Sequence, residues 1–327
     1  MEFRLDPRTR EQLARRRMRL VEALEAPAAP RELDDLLRRV DDALARFDRG
    51  AYGICELCAE PVEEAWIRVD PLTRFCLDHL DAAAQRALER DLSLAAEVQR
   101  TLLPRTDLRA GEWEIHYRYD AVGPVSGDYC DVVVSADPAG GILVAVGDVS
   151  GKGVAASLLS AHLNALFRGL DDVGLAVPEM LRRANRLFCE STLESQYATL
   201  VVGRACGGGA IELCNAGQGP PMLVRGGRVE PLRSHGLPLG MFCDAPYASE
   251  TVHAGPGDAI VMYTDGITES RDPEGEEFGA RRLAETLAGV RPSARAYADA
   301  CLQALDRHRA GAPPIDDRTL LVLRRLA

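Results

Sequence analysis

The stretch ILVAVGDVSGKGVAASLLSA (142–161) decides how the C-terminal two thirds of the chain is read. Its first five residues are a continuous apolar run rich in branched side chains, which suits a buried strand. Gly147 and Asp148 follow, and then a turn, Gly151-Lys152-Gly153. From Gly153 onward Leu159, Leu163, Leu166 and Leu170 step by 4, 3 and 4, the spacing of one packed helix face. An aspartate therefore stands where a strand gives way to a helix. Aspartate is poor inside strands, and turn chemistry accounts for a single instance of it at a strand end.

The same local design recurs on either side. VSGDYCD (125–131) carries Asp128 and Asp131, YTDGITESRD (263–272) puts Asp265 after the run AIVMY, and IDDRTLLVLR (315–324) sets Asp316 and Asp317 at the mouth of the run TLLVL. ATLVV (198–202) and MLVR (222–225) are further strand candidates, and helical patterns cover about 153–170, 177–194 and 279–309. Strands in hairpins with a few helices make an α+β domain built on packed antiparallel sheets. Repeated placement of aspartate at strand ends favours one shared locus. Carboxylates gathered there repel one another unless divalent cations stand between them, and hard oxygen donors suit Mg²⁺ or Mn²⁺.

The N-terminal third has another texture. Helical patterns at 8–25 and 31–48, broken by Ala26-Pro27-Ala28-Ala29-Pro30, read as an α-hairpin. The arginine run at 15–17 and 19 reads as a solvated helix face. Residues 80–103 are helical again, and Leu88, Leu92, Ala95, Gln99 and Leu102 step by 4, 3, 4, 3, about two heptads of a coiled-coil seam that Pro104 ends. Between the hairpin and this helix, Cys55-x2-Cys58 and Cys76-x2-His79 form two close ligand pairs. Two such pairs close a tetrahedral zinc shell with no place for a substrate, so the site reads as structural. The remaining cysteines (130, 189, 206, 214, 243 and 301) stand singly among apolar neighbours, as buried small hydrophobes do.

Composition narrows the class. At about 150 residues per domain, 327 residues make two domains. Thirty-nine cations against 50 carboxylates leave a net charge of −11, which argues against a binder of nucleic-acid phosphates. No apolar run is long enough to cross a membrane and the N-terminus is charged from its second residue, so a cytoplasmic protein is expected. Lys152 is the one lysine; the other cations are arginines, as a GC-rich genome would favour.

Two resemblances follow from these motifs. Residues 43–81, ALARFDRGAYGICELCAEPVEEAWIRVDPLTRFCLDHLD, resemble the DksA/TraR zinc-finger family in the helix before Gly50, the Tyr52-Gly53 turn, both ligand pairs and the RVDP segment (68–71). His79 stands where that family usually has cysteine. Some members insert an acidic coiled-coil tip into RNA polymerase; here the tip is APAAP, without the aspartates.

Residues 105–327 resemble the SpoIIE/RsbU branch of the metal-dependent PPM-type serine/threonine protein phosphatases, with SGDYCD, DVSGKG, NAGQGPP (215–221), LPLG (237–240), YTDG and DDRT in order. The linker AAEVQRTLLP (95–104) resembles the helix that precedes such domains. The resemblance implies an α-β-β-α sandwich of two antiparallel sheets, here preceded by a helical hairpin with a zinc finger and a helical linker. It implies two or more Mn²⁺ or Mg²⁺ ions. Asp148 would bridge two of them with the Val149 carbonyl assisting, Asp128 would support the shell, and Asp265 and Asp316 would complete it. Asp317 is an alternative ligand to Asp316, and Asp131 reads as a turn or supporting residue. The implied reaction is two-metal hydrolysis of phosphoserine or phosphothreonine by water. Lys152, where that family carries lysine or histidine, would lie on the phosphate side. Gln218 replaces the histidine of NAGH and Cys130 an aromatic residue, while His162 reads as a packing residue.

The expected organisation is a hairpin with zinc finger (1–84), a coiled-coil-like linker (85–104) that makes a homodimer, and a phosphatase domain (105–327). The expected substrate is a phosphorylated STAS-domain anti-anti-sigma regulator in partner switching, under control of the zinc module. The alternative is a zinc-finger transcription regulator that acts on RNA polymerase and carries a sensory C-terminal domain.

Overall fold

The computed structural model describes residues 7–24, 31–63, 66–67, 70–79, 82–135, 140–193, 195–233, 236–289 and 291–326. The proline break at 26–30 and the first half of RVDP (68–69) lie outside these residues. The chain divides into two compact units, Met1–Arg90 and Asp91–Ala327, and the division falls within one helix.

In the first unit, α1 (Pro7–Leu24) and α2 (Arg31–Asp48) bury Leu13 and Leu20 against Val40 and Ala43. Arg10 pairs with Asp48 at 2.8 Å and Arg17 with Asp41 at 2.5 Å. These pairs are exposed, so the apolar seam carries the hairpin's stability. The arginine run at 15–17 and 19 is exposed, as a solvated face should be. The same core takes in Tyr52, Cys55, Val62, Leu72 and Cys76, which ties the cysteine loops to the hairpin.

The helix α3 (Ala82–Leu102) leads into the second unit. That unit has a six-stranded sheet in the order β1 (Asp107–Ala110), β2 (Trp113–Asp120), β11 (Arg318–Arg325), β10 (Ala259–Tyr263), β7 (Met222–Arg225), β8 (Arg228–Pro231). A five-stranded sheet runs β3 (Asp128–Val134), β4 (Ile142–Val149), β5 (Ala198–Ala205), β6 (Ala210–Ala216), β9 (Glu250–His253). Every neighbouring pair is antiparallel. One core lies between the sheets, with Ile115, Val144, Ile260 and Leu321. A second lies between the five-stranded sheet and the helices α4 (Gly153–Asp171) and α5 (Val177–Ser191), through Phe167, Met180 and Phe188. A third joins the six-stranded sheet to α7 (Gly279–Leu287) and α8 (Ala294–Arg309), through Leu283, Tyr297 and Leu305; the single turn α6 (Asp265–Thr268) precedes them. The result is the expected α-β-β-α sandwich.

The layering explains the unbroken apolar run of β4. Ile142, Val144 and Val146 face the other sheet, while Leu143, Ala145 and Val149 face the helices, so both sides of the strand are dry. The helical pattern expected over 279–309 is two helices. Gly289 and Pro292 interrupt it, and Ser293 caps the second helix by accepting a hydrogen bond from the Ala296 N–H at 3.1 Å. The pattern at 177–194 ends at Ser191.

The cysteines correct another expectation. Cys130, Cys214 and Cys301 are buried and Cys206 is exposed, but Cys189 and Cys243 form a disulfide. Ala198 and Leu239 exchange backbone hydrogen bonds at 2.9 and 2.8 Å, which folds the segment after LPLG back onto α5. Asn185 holds it there, donating to the Phe242 and Cys243 carbonyls and accepting from the Gly240 N–H. Such a contact, 54 residues apart in sequence, leaves no local pattern.

Gly147 lies where β4 and β5 meet closely. A Cβ there would stand 2.5 Å from the Thr199 carbonyl oxygen and 2.6 Å from the Leu200 Cβ. Gly147→Ala is expected to destabilise the second unit by about 1–3 kcal/mol, as overpacking does, and the urea midpoint measures it.

Candidate functional site

The first unit brings all four expected soft donors together. The ligand atoms of Cys55, Cys58, Cys76 and His79 lie within 4.8 Å of one another, the only set of three or more so close among the described residues. Cys76 Sγ is 3.9 Å from Cys58 Sγ and 3.1 Å from His79 Nδ1. The first pair sits on a tight loop in which the Ala59 N–H bonds the Cys55 carbonyl and Ala59 takes a left-handed backbone. The second sits on the short turn Leu77–His79, closed by a His79 N–H bond to the Cys76 carbonyl at 2.9 Å. Burial raises the Cys55 thiol, but the N–H groups of Cys76, Cys58 and Leu57 aimed at it bring it down to about 6. Burial pushes Cys76 up to about 11, beside the other two thiols. A loop that stabilises a thiolate within reach of two more sulfurs and an imidazole suits a soft or borderline cation.

The second site lies at one end of the sandwich, where β3 begins, β4 ends, β10 ends and β11 begins. Register places Asp128 directly opposite Asp148 on neighbouring strands. Asp265 opens α6 immediately after β10, and Asp316 and Asp317 immediately precede β11. Gly127 is glycine because space here is short: a Cβ would stand 3.2 Å from the Val149 carbonyl oxygen and 3.3 Å from Asp148 Oδ1. Two hard oxygens thus point into the same small space.

Electrostatics mark Asp148 as the centre. Burial, followed by the charges of Asp265, Asp316 and Asp317, pushes its carboxyl up to about 7. Burial and then Asp316 raise Asp265. Burial and then Asp148 raise Asp128 well above the carboxylate range, while hydroxyls of Thr319 and Thr264 pull the other way. Lys152 answers part of this charge: its ammonium donates to the Ile315 carbonyl at 3.0 Å and to Asp316 Oδ2 at 3.2 Å. The ion pair is largely exposed and correspondingly weak.

Asp317 is engaged differently. Its two oxygens accept from the Val122 N–H at 2.7 Å and the Gly127 N–H at 2.9 Å, fastening the loop ahead of β3. Asp131 stands apart. An odd offset of three from Asp128 puts it on the opposite face of β3, where Arg168 grips both its oxygens at 2.9 Å and Asn164 donates at 3.1 Å. His162 meets Ser191 Oγ at 2.8 Å and stacks near Phe188, a packing role.

Several residues here escaped sequence reasoning. Thr264 and Thr319 donate to Asp128 Oδ2 at 3.0 and 2.5 Å. Their place beside the aspartates in YTDG and DDRT was the available signal. Gln218 accepts from the Thr199 hydroxyl and donates to the Tyr263 carbonyl at 3.0 Å, so the glutamine in NAGQ is a buried strut between the sheets. Gln99 on α3 pairs with Ser126 through both backbone groups, donating to its carbonyl at 2.7 Å and accepting from its N–H at 3.0 Å. One residue of the expected heptad seam thus contacts the loop that leads to Asp128.

In protein free of Mg²⁺ and Mn²⁺, the native state keeps a proton on Asp148 that the unfolded chain releases near pH 4. The stability tied to this group therefore falls as pH rises through the window up to about 7 and levels above it. Thermal melts should show cation-free Asp148→Asn melting above wild type at pH 8, with the gap closing toward pH 4.

Comparison with known proteins agrees with this fold. The family described as Stage II sporulation protein E (SpoIIE) matches residues 138–326. Protein IcfG of Synechocystis sp. is 25% identical over 264 residues, 72% of this chain but 41% of IcfG, so the chain spans less than half of that relative. Phosphoserine phosphatase RsbU of Bacillus subtilis is 26% identical over 248 residues, 74% of this chain and 72% of RsbU. Among solved structures, the SiaA-PP2C domain of Pseudomonas aeruginosa aligns with a TM-score of 0.65 at 24% identity, covering 75% of this chain and 98% of that domain, which shows a shared fold.

Proposed function

The chain belongs to the SpoIIE family, and on that premise we propose that it is a metal-dependent protein serine/threonine phosphatase. The observation that carries the reading is Asp148, half-buried beside three further carboxylates, where loss of solvent and then their charges push it up to about 7. Such a group is costly by itself and becomes favourable once divalent cations stand among the oxygens. Every donor is hard oxygen, which suits Mn²⁺ or Mg²⁺.

In this reading Asp128, Asp148, Asp265 and Asp316, with the Val149 carbonyl, hold two or more such ions. Asp317 braces the loop at 122–127 through backbone amides. When bound, the ions supply charge neutralisation at the phosphoryl oxygens and an activated water at neutral pH. The carboxylates orient the site. Lys152, tethered to Asp316 at the rim, offers an ammonium to the approaching phosphate. The cysteines need no part in the chemistry.

RsbU carries the name phosphoserine phosphatase, which supports a phosphoserine substrate here. We assign as substrate a phosphorylated STAS-domain regulator in partner switching, acted on in the cytoplasm. The donor set Cys55, Cys58, Cys76 and His79 suits one structural Zn²⁺ in a module spanning 1–84. That module, through the linker at 85–104 and a homodimer built on it, governs the domain at 105–327.

Phosphate release from a phosphoseryl protein is expected to require Mn²⁺ or Mg²⁺ and to drop to background in Asp148→Asn. No phosphate release with either cation, and nothing lost on Asp148→Asn, would sink the reading and favour a transcription regulator. Metal analysis should find about one zinc per chain. Deleting residues 1–84 is expected to change turnover or oligomeric state, and a truncated protein unchanged in both would remove the regulatory role.

A further inference from the structure

Asp128 stands on the five-stranded sheet, yet its carboxylate is held from the six-stranded one. Thr264, just past β10, and Thr319, second residue of β11, both direct their hydroxyls at the same atom, Oδ2, at 3.0 and 2.5 Å. Among the described residues no hydrogen bond reaches Oδ1. The aspartate is 2% exposed and both threonines 0%.

The two hydroxyls are themselves fixed. Thr264 N–H donates to the Thr319 carbonyl at 3.0 Å, and Thr319 N–H donates to the Thr264 hydroxyl oxygen at 2.9 Å. With that amide donating to its oxygen, the Thr264 hydroxyl directs its proton to Asp128. Threonine is also stiff about χ1, so neither rotor turns away cheaply. The main chain of Asp128 is pinned as well: its carbonyl accepts from Ser160 Oγ at 2.8 Å and Tyr119 OH at 3.1 Å, and its N–H donates to Ser126 Oγ at 3.1 Å. With backbone and one carboxylate oxygen held, the remaining freedom of the group is the direction of Oδ1, and two donors on Oδ2 remove it.

The choice of donor matters. Asp131, three residues on, is gripped by the guanidinium of Arg168 on both oxygens, which neutralises it and leaves no call for another cation. Hydroxyl donors orient a carboxylate without cancelling its charge. We propose that Thr264 and Thr319 are positioning residues that hold Oδ2 of Asp128 so that Oδ1 is presented, with no cationic side chain competing for it, to a divalent cation beside Asp148. This rests on the reading of Asp128 as one of the groups that hold that cation.

The test titrates Mn²⁺ calorimetrically into the full-length, zinc-replete chain, with the melting temperature of the Mn²⁺-free protein as a separate measure of folding. Thr264→Val and Thr319→Val are each expected to weaken Mn²⁺ binding about tenfold or more, the range seen for partners that orient metal ligands. Thr264→Ser and Thr319→Ser should restore most of that affinity, because they return the hydroxyl. In an Asp128→Asn background the valine changes should add no further loss. A folded valine variant with wild-type Mn²⁺ affinity overturns the proposal, as does a full additional loss in the Asp128→Asn background. Wild-type affinity in Asp128→Asn alone overturns instead the reading of Asp128 on which the proposal rests. If a valine variant fails to fold, alanine at that position removes the same hydroxyl without setting a methyl group against the carboxylate, and carries the same outcomes.

Discussion

Like charges held close together repel, and the architecture at this end of the sandwich is organised around that repulsion. Asp148 sits half-buried with Asp265, Asp316 and Asp317 near it and Asp128 across the strand pair. In water such a cluster would spread apart, but strands from two sheets end at this point and cannot. Glycine permits the close approach: at Gly127 a side chain would crowd the Val149 carbonyl and Asp148, and at Gly266 it would collide with the Asp317 carbonyl. Lys152 and the backbone amides that meet Asp316 and Asp317 offset only part of this charge.

Bracing of the site runs between the sheets more than along them. Gln218 joins Thr199, which lies opposite Asp148, to Tyr263, which precedes Thr264 and Asp265. Thr264 and Thr319 join the six-stranded sheet to Asp128. Asp317 reaches from the mouth of β11 to the loop ahead of β3, and Gln99 reaches the same loop from α3. Buried hydrogen bonds of this kind are strong in place and costly to leave half made, so the spacing of the carboxylates is fixed by many small constraints at once. The first unit gathers a softer donor set, with three sulfurs and an imidazole brought together from two tight loops.

Much of this is legible in the sequence alone. The strands AIVMY and MLVR coincide with β10 and β7 to the residue, and ILVAV lies inside β4. The two soft-ligand pairs at 55–58 and 76–79 converge. The carboxylates expected to share a locus do so, apart from Asp131. Local turn chemistry at Gly289 and Pro292 divides the helical pattern over 279–309, whereas Cys189 and Cys243 look solitary until a distant loop returns.

Element type and the acidic residues at strand ends were determined by the chain locally, because periodicity, turn chemistry and the desolvation cost of aspartate act within a few neighbours. The partner of each carboxylate was not. Asp128 and Asp131 share one hexapeptide of chemically similar surroundings, and only the pleat of β3 sends one to two threonines and the other to an arginine. Which aspartate remains charged and available, and which is neutralised as a structural tie, depends on what another sheet or helix places opposite it. That information resides in register and packing across more than a hundred residues of chain, and it comes into being only when the two sheets close on each other.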